Sequence, residues 1–171
     1  MLIGNKVVLR AWAQEDLPAL QALRNDFPLQ RQLMAQPKGN SLEQVRAWLN
    51  ARTQAADAVF FIIADKTSNQ ALGYVQLLDL NPLHGTGRLG ICIGPQAQGR
   101  GCGGETLSLL ASYVQDVFGL RKILLEVLAN NQGAIRLYLR HGYREVGRWL
   151  QHFHTGNGYA DVVIMEKLLT A

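Results

Sequence analysis

The chain has 171 residues, 48% of them hydrophobic and 18% charged, so the expectation is one globular domain over 1–171 that buries roughly two-thirds of its unfolded surface. Its 17 lysines and arginines outweigh 13 acidic residues for a net charge of +4, yet they are scattered, which argues against nucleic acid and leaves room for a phosphate-bearing ligand. The longest apolar runs, such as "VFFIIA" and "KILLEVLA", fall far short of the roughly 20 residues that span a bilayer, and "MLIGNKVVLR" lacks a leader pattern, so no membrane partner and a cytoplasmic location are expected.

In chain order, "KVVLRAW" reads as a strand, and "QEDLPALQALRND" as a helix in which Leu17, Leu20 and Leu23 recur at helical spacing. A second helix begins at "SLEQVRAWLNA". Ser41 followed three residues later by Gln44 has the capping-box arrangement, and Val45, Trp48 and Leu49 form the apolar stripe. The runs "AVFFIIAD", "ALGYVQLLDL" and "RLGICIG" then predict three strands of an antiparallel meander, joined by the turn-forming "KTSNQ" and "NPLHGTG". A long helix, "ETLSLLASYVQDVFG", ends at Gly119 in a C-cap position. "RKILLEVLA" is a buried strand, "QGAIRLYLRHG" a short helix, and "VGRWLQHFH", "TGNG" and "YADVVIMEKLL" a closing hairpin. Strand, glycine loop, helix and strand in the middle make a βαβ unit on an otherwise antiparallel sheet, an α+β architecture with flanking helices.

The loop before the long helix, "QGRGCGGETL" from Gln98, carries glycine at 99, 101, 103 and 104. Backbone N–H groups at a helix start lack intrahelical partners and lie at the positive end of the helix dipole, so a bare loop there suits a phosphate. A flexible connector is the bland alternative. A triphosphate P-loop fails on sign, because Glu105 stands where its lysine belongs. Gly99, Gly101 and Gly104 also fit a dinucleotide GxGxxG, with Glu126 as ribose ligand, although "PQAQ" separates strand from loop where that fold turns directly. Cys92 and Cys102 provide neither a disulfide framework nor a zinc site, and are read as reduced thiols. No metal is expected; His152 and His154 share one strand face but lack a third ligand.

"QGRGCG" resembles the Q-x-x-G-x-G acetyl-coenzyme A signature of the GNAT superfamily, through Gln98, Gly101 and Gly103, and "NQGAIRLYLRHGY" resembles its N-x-x-A-x-x-L-Y-x-x-x-G-F/Y segment, through Asn131, Ala134, Tyr138, Gly142 and Tyr143. The order of elements is similar over essentially the whole chain, and "LRAW", "LLDLNPLH" and "HFHTGNGYAD" look most like the polyamine branch, beside the ribosomal-protein N-acetyltransferases. The resemblance implies a GNAT-type mixed sheet and direct transfer of an acetyl group from acetyl-CoA, as co-substrate, to a primary amine. It implies that the backbone of Ile91, Cys92 and Ile93 pairs with the pantetheine amides. The pyrophosphate would sit on the N–H groups of Gly99, Arg100, Gly101, Cys102, Gly103 and Gly104, beside Gln98, and Asn131 and Ala134 would meet the pantetheine arm.

A lysine-like amine with pKa about 10.4 is mostly ammonium near pH 7, a handicap of roughly 4 kcal/mol that a base must remove. The expelled thiolate in turn needs an acid, and the resemblance assigns that to Tyr138. Glu126, twelve residues earlier and on the face of "KILLEVLA" opposite Ile123, Leu125 and Val127, is the candidate base. Many relatives carry a glutamate where this chain has Arg88, which makes Asp79 the reserve base and His84 a further titratable group at the expected mouth. The acceptor stays open among a polyamine, an amino-sugar and a peptide N-terminus, because the N-terminal half offers few acids and "RQLMAQPKG" is basic. A homodimer or higher homo-oligomer also stays open. So does a non-catalytic acyl-CoA sensor.

Overall fold

The computed structural model describes residues 1–169. Strands β1 (Leu2–Ile3) and β2 (Val7–Arg10) are followed by a 3-10 turn at Gln14–Asp16 and by helices α1 (Leu17–Asn25), α2 (Phe27–Gln32) and α3 (Leu42–Gln54). Then come β3 (Val59–Asp65), β4 (Ala71–Asn81), β5 (Thr86–Ile93), α4 (Cys102–Phe118), β6 (Lys122–Leu128), α5 (Gln132–Arg140), β7 (Arg144–His154) and β8 (Tyr159–Leu168). Together the strands form one eight-stranded sheet in the order β1-β2-β3-β4-β5-β6-β8-β7. Every pairing is antiparallel except β5 with β6, the pair that the α4 crossover joins, as the βαβ reading requires.

Two apolar layers cover the sheet. On one face Leu107, Leu110, Ala111 and Val114 of α4 pack on Ile63, Val75, Leu77, Ile123 and Leu125. On the other, Leu17, Leu20 and Leu23 of α1 and Val45 and Leu49 of α3 pack on Phe60, Ile62, Tyr74 and Cys92. Leu20, Leu49, Ile62, Leu110 and Ile123 are each at most 1% exposed, and burying a side chain of that size contributes on the order of 2 kcal/mol.

Local signals act where the sequence placed them. The Ser41 hydroxyl accepts from the Gln44 N–H (3.2 Å) while the Gln44 side chain accepts from the Ser41 N–H (2.8 Å), so two orphan donors of α3 are satisfied reciprocally. Gly119 closes α4 at φ +63°. The predicted first helix differs: it breaks at Asp26, whose extended backbone ends α1 and whose carboxylate caps a second short helix by accepting from the Leu29 N–H. Asp26 with Pro28 in the first turn is a legible start signal, hidden inside an apolar period that runs on without interruption.

One feature of register positions the site. β5 stays paired with β4 from Thr86 to Ile93, and β6 stays paired with β8 along its length, but β5 and β6 meet only through Thr86–Arg88 and Lys122–Leu124. Beyond Arg88 the two strands diverge, which leaves the second edge of Leu89–Ile93 without a strand partner. A free strand edge presents unpaired N–H and C=O groups to whatever enters the gap.

Candidate functional site

The divergence opens a cleft of about 720 Å³ that runs between the two sheet faces. Its walls include Ile91 and Ile93 of β5, the loop residues Gln98, Gly99, Gly101, Gly103 and Gly104, Glu126 of β6, and Asn131, Ala134 and Tyr138 at α5. Eleven of the fourteen residues singled out from the sequence are thus brought to one cavity: these eleven are lining residues, and Cys92, Arg100 and Cys102 are not among them. Alternation turns the Cys92 side chain into the α1–α3 layer against Tyr74, and Cys102 is buried at the start of α4, so only their backbones are available to a ligand.

The loop is built to leave donors free. Gly99 and Gly101 hold φ +72° and +84°, the left-handed region where a Cβ is costly, and this curls the chain into the start of α4. Gly103 and Gly104 serve a different need: a Cβ there would approach Ile93 and Leu137, or His141 at 2.5 Å, so they let α4 pack closely on β5 and α5. None of the N–H groups from Gly99 to Gly104 donates to another described residue. The Lys6 ammonium donates to the Arg100 carbonyl at 2.9 Å and adds a positive charge at the loop that the sequence had not flagged. Glu105, the residue that excluded a P-loop, points the other way. Its carboxylate accepts from the N–H groups of Asn5 (2.6 Å), Lys6 (2.8 Å) and Val7 (2.8 Å), and although desolvation pushes its pKa up, these bonds hold the carboxyl below the ordinary value.

Gln98 reaches back to donate to the Ile93 carbonyl (2.9 Å), so it ties the loop to the end of β5. Asn131 caps α5 by accepting from the Ala134 N–H, which leaves its amide donors for the cleft. Tyr138 is 8% exposed and lies 5.6 Å, ring to ring, from Tyr143; Gly142 at φ +83° is what turns the chain from α5 into that contact. Burial pushes the Tyr138 phenol up to about 12, so it holds its proton at neutral pH, and its hydroxyl makes no hydrogen bond to a described residue. Glu126 is half-buried, with no hydrogen bond or ion pair among the described residues. Its neighbours Leu125 and Val127 belong to the α4 layer together with Tyr138, so the carboxylate and the phenol flank the gap from opposite faces of the sheet.

Two other expectations come out differently. Asp79, the reserve base, is engaged: its Oδ2 accepts from Arg88 Nε (2.8 Å) and lies 2.6 Å from Arg88 Nη2. It sits at φ +54° where the β4–β5 ladder is irregular, outside the cleft, while Arg88 lines the cleft. His84 is exposed in the β4–β5 turn and is not a lining residue either. His152 lies tilted against Trp149, His154 meets Tyr159 edge to face, and no group of three metal-ligating side chains is found among the described residues. Sequence reasoning missed the wall that faces Glu126, formed by Leu29, Gln32, Leu33 and Met34 at α2 and by Gln76 of β4. Periodicity marked α1 and α3 and passed over the short α2 between them.

A parallel strand pair that splays towards a glycine loop at a helix start, with a phenol and a carboxylate lining the gap, is an arrangement suited to acyl transfer. The chain belongs to the acetyltransferase (GNAT) domain family, whose model matches residues 6–144. It is an acetyl-CoA-dependent N-acetyltransferase. Among known proteins it is similar to spermidine N(1)-acetyltransferase of Vibrio cholerae, 26% identical over 160 residues that cover 94% of this chain and 91% of that protein. The Escherichia coli K12 spermidine N(1)-acetyltransferase is 25% identical over 95% of this chain and 86% of its own length. A crystal structure of the Vibrio cholerae spermidine N-acetyltransferase in complex with CoA and spermine superposes with a TM-score of 0.89, at 25% identity and 97% coverage of both chains.

Proposed function

We propose that this chain acetylates a terminal primary amine in the cleft between β5 and β6, and that a polyamine such as spermidine is an acceptor. The observation that carries the proposal is the unpartnered edge of Leu89–Ile93 leading to the free amides of Gly99–Gly104, a track suited to pantetheine and then to a diphosphate. The similarity to spermidine N-acetyltransferases over more than nine-tenths of the chain supports the acceptor class.

On this reading Glu126 takes the proton from the attacking ammonium, directly or through one water. The amine nitrogen then forms a bond to the thioester carbonyl carbon. Collapse breaks the C–S bond, the Tyr138 hydroxyl supplies the proton that the departing thiolate needs, and the second proton shed by the nitrogen as the amide forms returns through water to the Tyr138 phenolate. A phenol held neutral by burial suits a donor, and a carboxylate without a protein partner suits an acceptor. The base and the acid work from opposite sides of the sheet, so neither competes for the other's proton.

Thiol release from acetyl-CoA, followed with spermidine as acceptor and confirmed by the mass of the acetylated product, tests the proposal. Calorimetry with coenzyme A tests the cofactor track separately. Tight coenzyme binding without acetylation of any amine would support an acyl-CoA sensor instead.

A further inference from the structure

The acceptor end of the cleft carries an unusual charge balance for a site that takes a polycation. Of the charged side chains that line the cavity, Glu126 is the single carboxylate, against the guanidinium groups of Arg88, Arg136 and Arg140. Arg136 and Arg140 lie one helical turn apart on α5, the helix that packs against the start of α4 through Leu137 and His141, so they belong to the cofactor end. Arg88 belongs to the other end. It pairs in register with Leu124, so its side chain leaves the same face of the sheet as Leu124 and, two residues on, Glu126. Strand spacing and rise put the Arg88 and Glu126 Cα atoms at least about 8 Å apart, because the strands part beyond Leu124. Leu29, Leu33 and Met34 on the facing wall add no charge.

The Arg88 guanidinium is only partly used. Asp79 engages Nε and Nη2 through one oxygen, and the pair is open to water, with side-chain exposures of 44% and 64%. An ion pair so exposed is worth little and exchanges readily. Nη1 has no partner among the described residues and is free to donate to a second anion.

We infer that this site also acetylates amines that carry a carboxylate a few bonds from the reacting nitrogen, with Arg88 gripping the carboxylate while Glu126 receives the ammonium proton. The inference rests on the acetyltransferase reading above and adds a second acceptor class to it. Its chemistry is unchanged: an N–C bond forms, the C–S bond breaks, the nitrogen loses one proton to Glu126 and a second through water, Tyr138 protonates the thiolate, and that second proton restores the phenol. Arg88 takes no part in proton transfer. It sets specificity by favouring an anion, and opposing a second cation, at a fixed distance from the base.

A matched pair of acceptors isolates that term. 4-Aminobutanoate and 1,4-diaminobutane have the same reach and differ in the charge of the far end. With the full chain and acetyl-CoA, 4-aminobutanoate should be acetylated. Arg88→Gln should raise its KM about tenfold or more while lowering the KM for 1,4-diaminobutane, and Asp79→Asn, which frees the guanidinium, should lower the KM for 4-aminobutanoate. Opposite movements for the two acceptors cannot come from partial unfolding. Turnover of spermidine with none of 4-aminobutanoate, or an Arg88→Gln effect of the same sign on both probes, overturns this inference and leaves the polyamine reading standing. If no amine is acetylated although coenzyme A binds, both readings fall.

Discussion

At the scale of single residues, the proposed chemistry rests on two titratable groups whose surroundings differ. Tyr138 is enclosed by the α4-side core, and its raised pKa keeps it a proton donor well above neutrality. Tyr138→Phe removes the proton and little volume, so turnover should fall by about 10²-fold or more while coenzyme A affinity from calorimetry stays put. Unchanged turnover would dismiss Tyr138 as the acid. Glu126 has no hydrogen-bond or ion-pair partner among the described residues, so it is available as a base, and Glu126→Gln should lower turnover about 10²-fold or more while coenzyme A affinity stays put. Unaltered turnover would move proton removal to Asp79 or to a water chain. The sequence pointed to Tyr138 through the family resemblance and to Glu126 through its spacing from Tyr138 and its place in the strand alternation. The pairing of Asp79 with Arg88 was not legible, because it runs across the β4–β5 ladder, nine positions apart in sequence.

At the scale of elements, the glycine loop and the start of α4 form one device. Glu105 in the first turn gathers three N–H groups of the β1–β2 corner, Lys6 bonds back to Arg100, and Gln98 bonds back to Ile93. These contacts hold the loop in the shape that leaves its own amides unspent. Gly101→Ala forces an alanine into φ +84° and brings a Cβ to 2.7 Å from the Lys6 ammonium, so it should cost roughly 1–2 kcal/mol of stability and weaken coenzyme binding. Gly133→Ala, within α5 and facing open space, should instead gain up to about 1 kcal/mol. Denaturant midpoints of the two variants on either side of the parent protein check the pair; equal shifts would mean that loop conformation is not what Gly101 supplies. The sequence located this loop because glycines before a helical period are a local signal. It did not reveal that two of the four serve backbone conformation and two serve helix packing.

Over the whole molecule, burial of phenols links fold to alkaline pH. Burial pushes Tyr74, Tyr138 and Tyr143 above the ordinary value near 10, and for Tyr143 and Tyr74 a weaker contribution from Tyr138 or Cys92 adds to it. A group whose pKa is raised on folding stabilises fully below its unfolded pKa, and that stability drains as pH rises towards the folded value. By about pH 11 the folded chain therefore binds up to three more phenolic protons than the unfolded one, and stability should fall there by up to ~4 kcal/mol per pH unit. Burial raises Cys92 as well, to about 12, so the decline should begin nearer pH 9. Urea unfolding at intervals from pH 8 to pH 11.5 reads this out, and a midpoint that stays flat across that range would contradict the burial of these groups.

Taken by itself, the sequence determined the elements and their order: the capped α3, the C-capped α4, the βαβ unit, the closing hairpin, and the loop that presents bare amides. Each is written in a window of some ten residues, where periodicity, caps and glycine act through neighbouring backbone. The tertiary structure alone decided where β5 and β6 part company, that Glu126 and Tyr138 flank the gap from opposite faces, that α2 supplies part of the cleft wall, and that Arg88 lines the cleft while pairing with Asp79. Those features depend on strand register and on contacts between residues far apart in the chain, and no local pattern records which partner a strand edge will be left without.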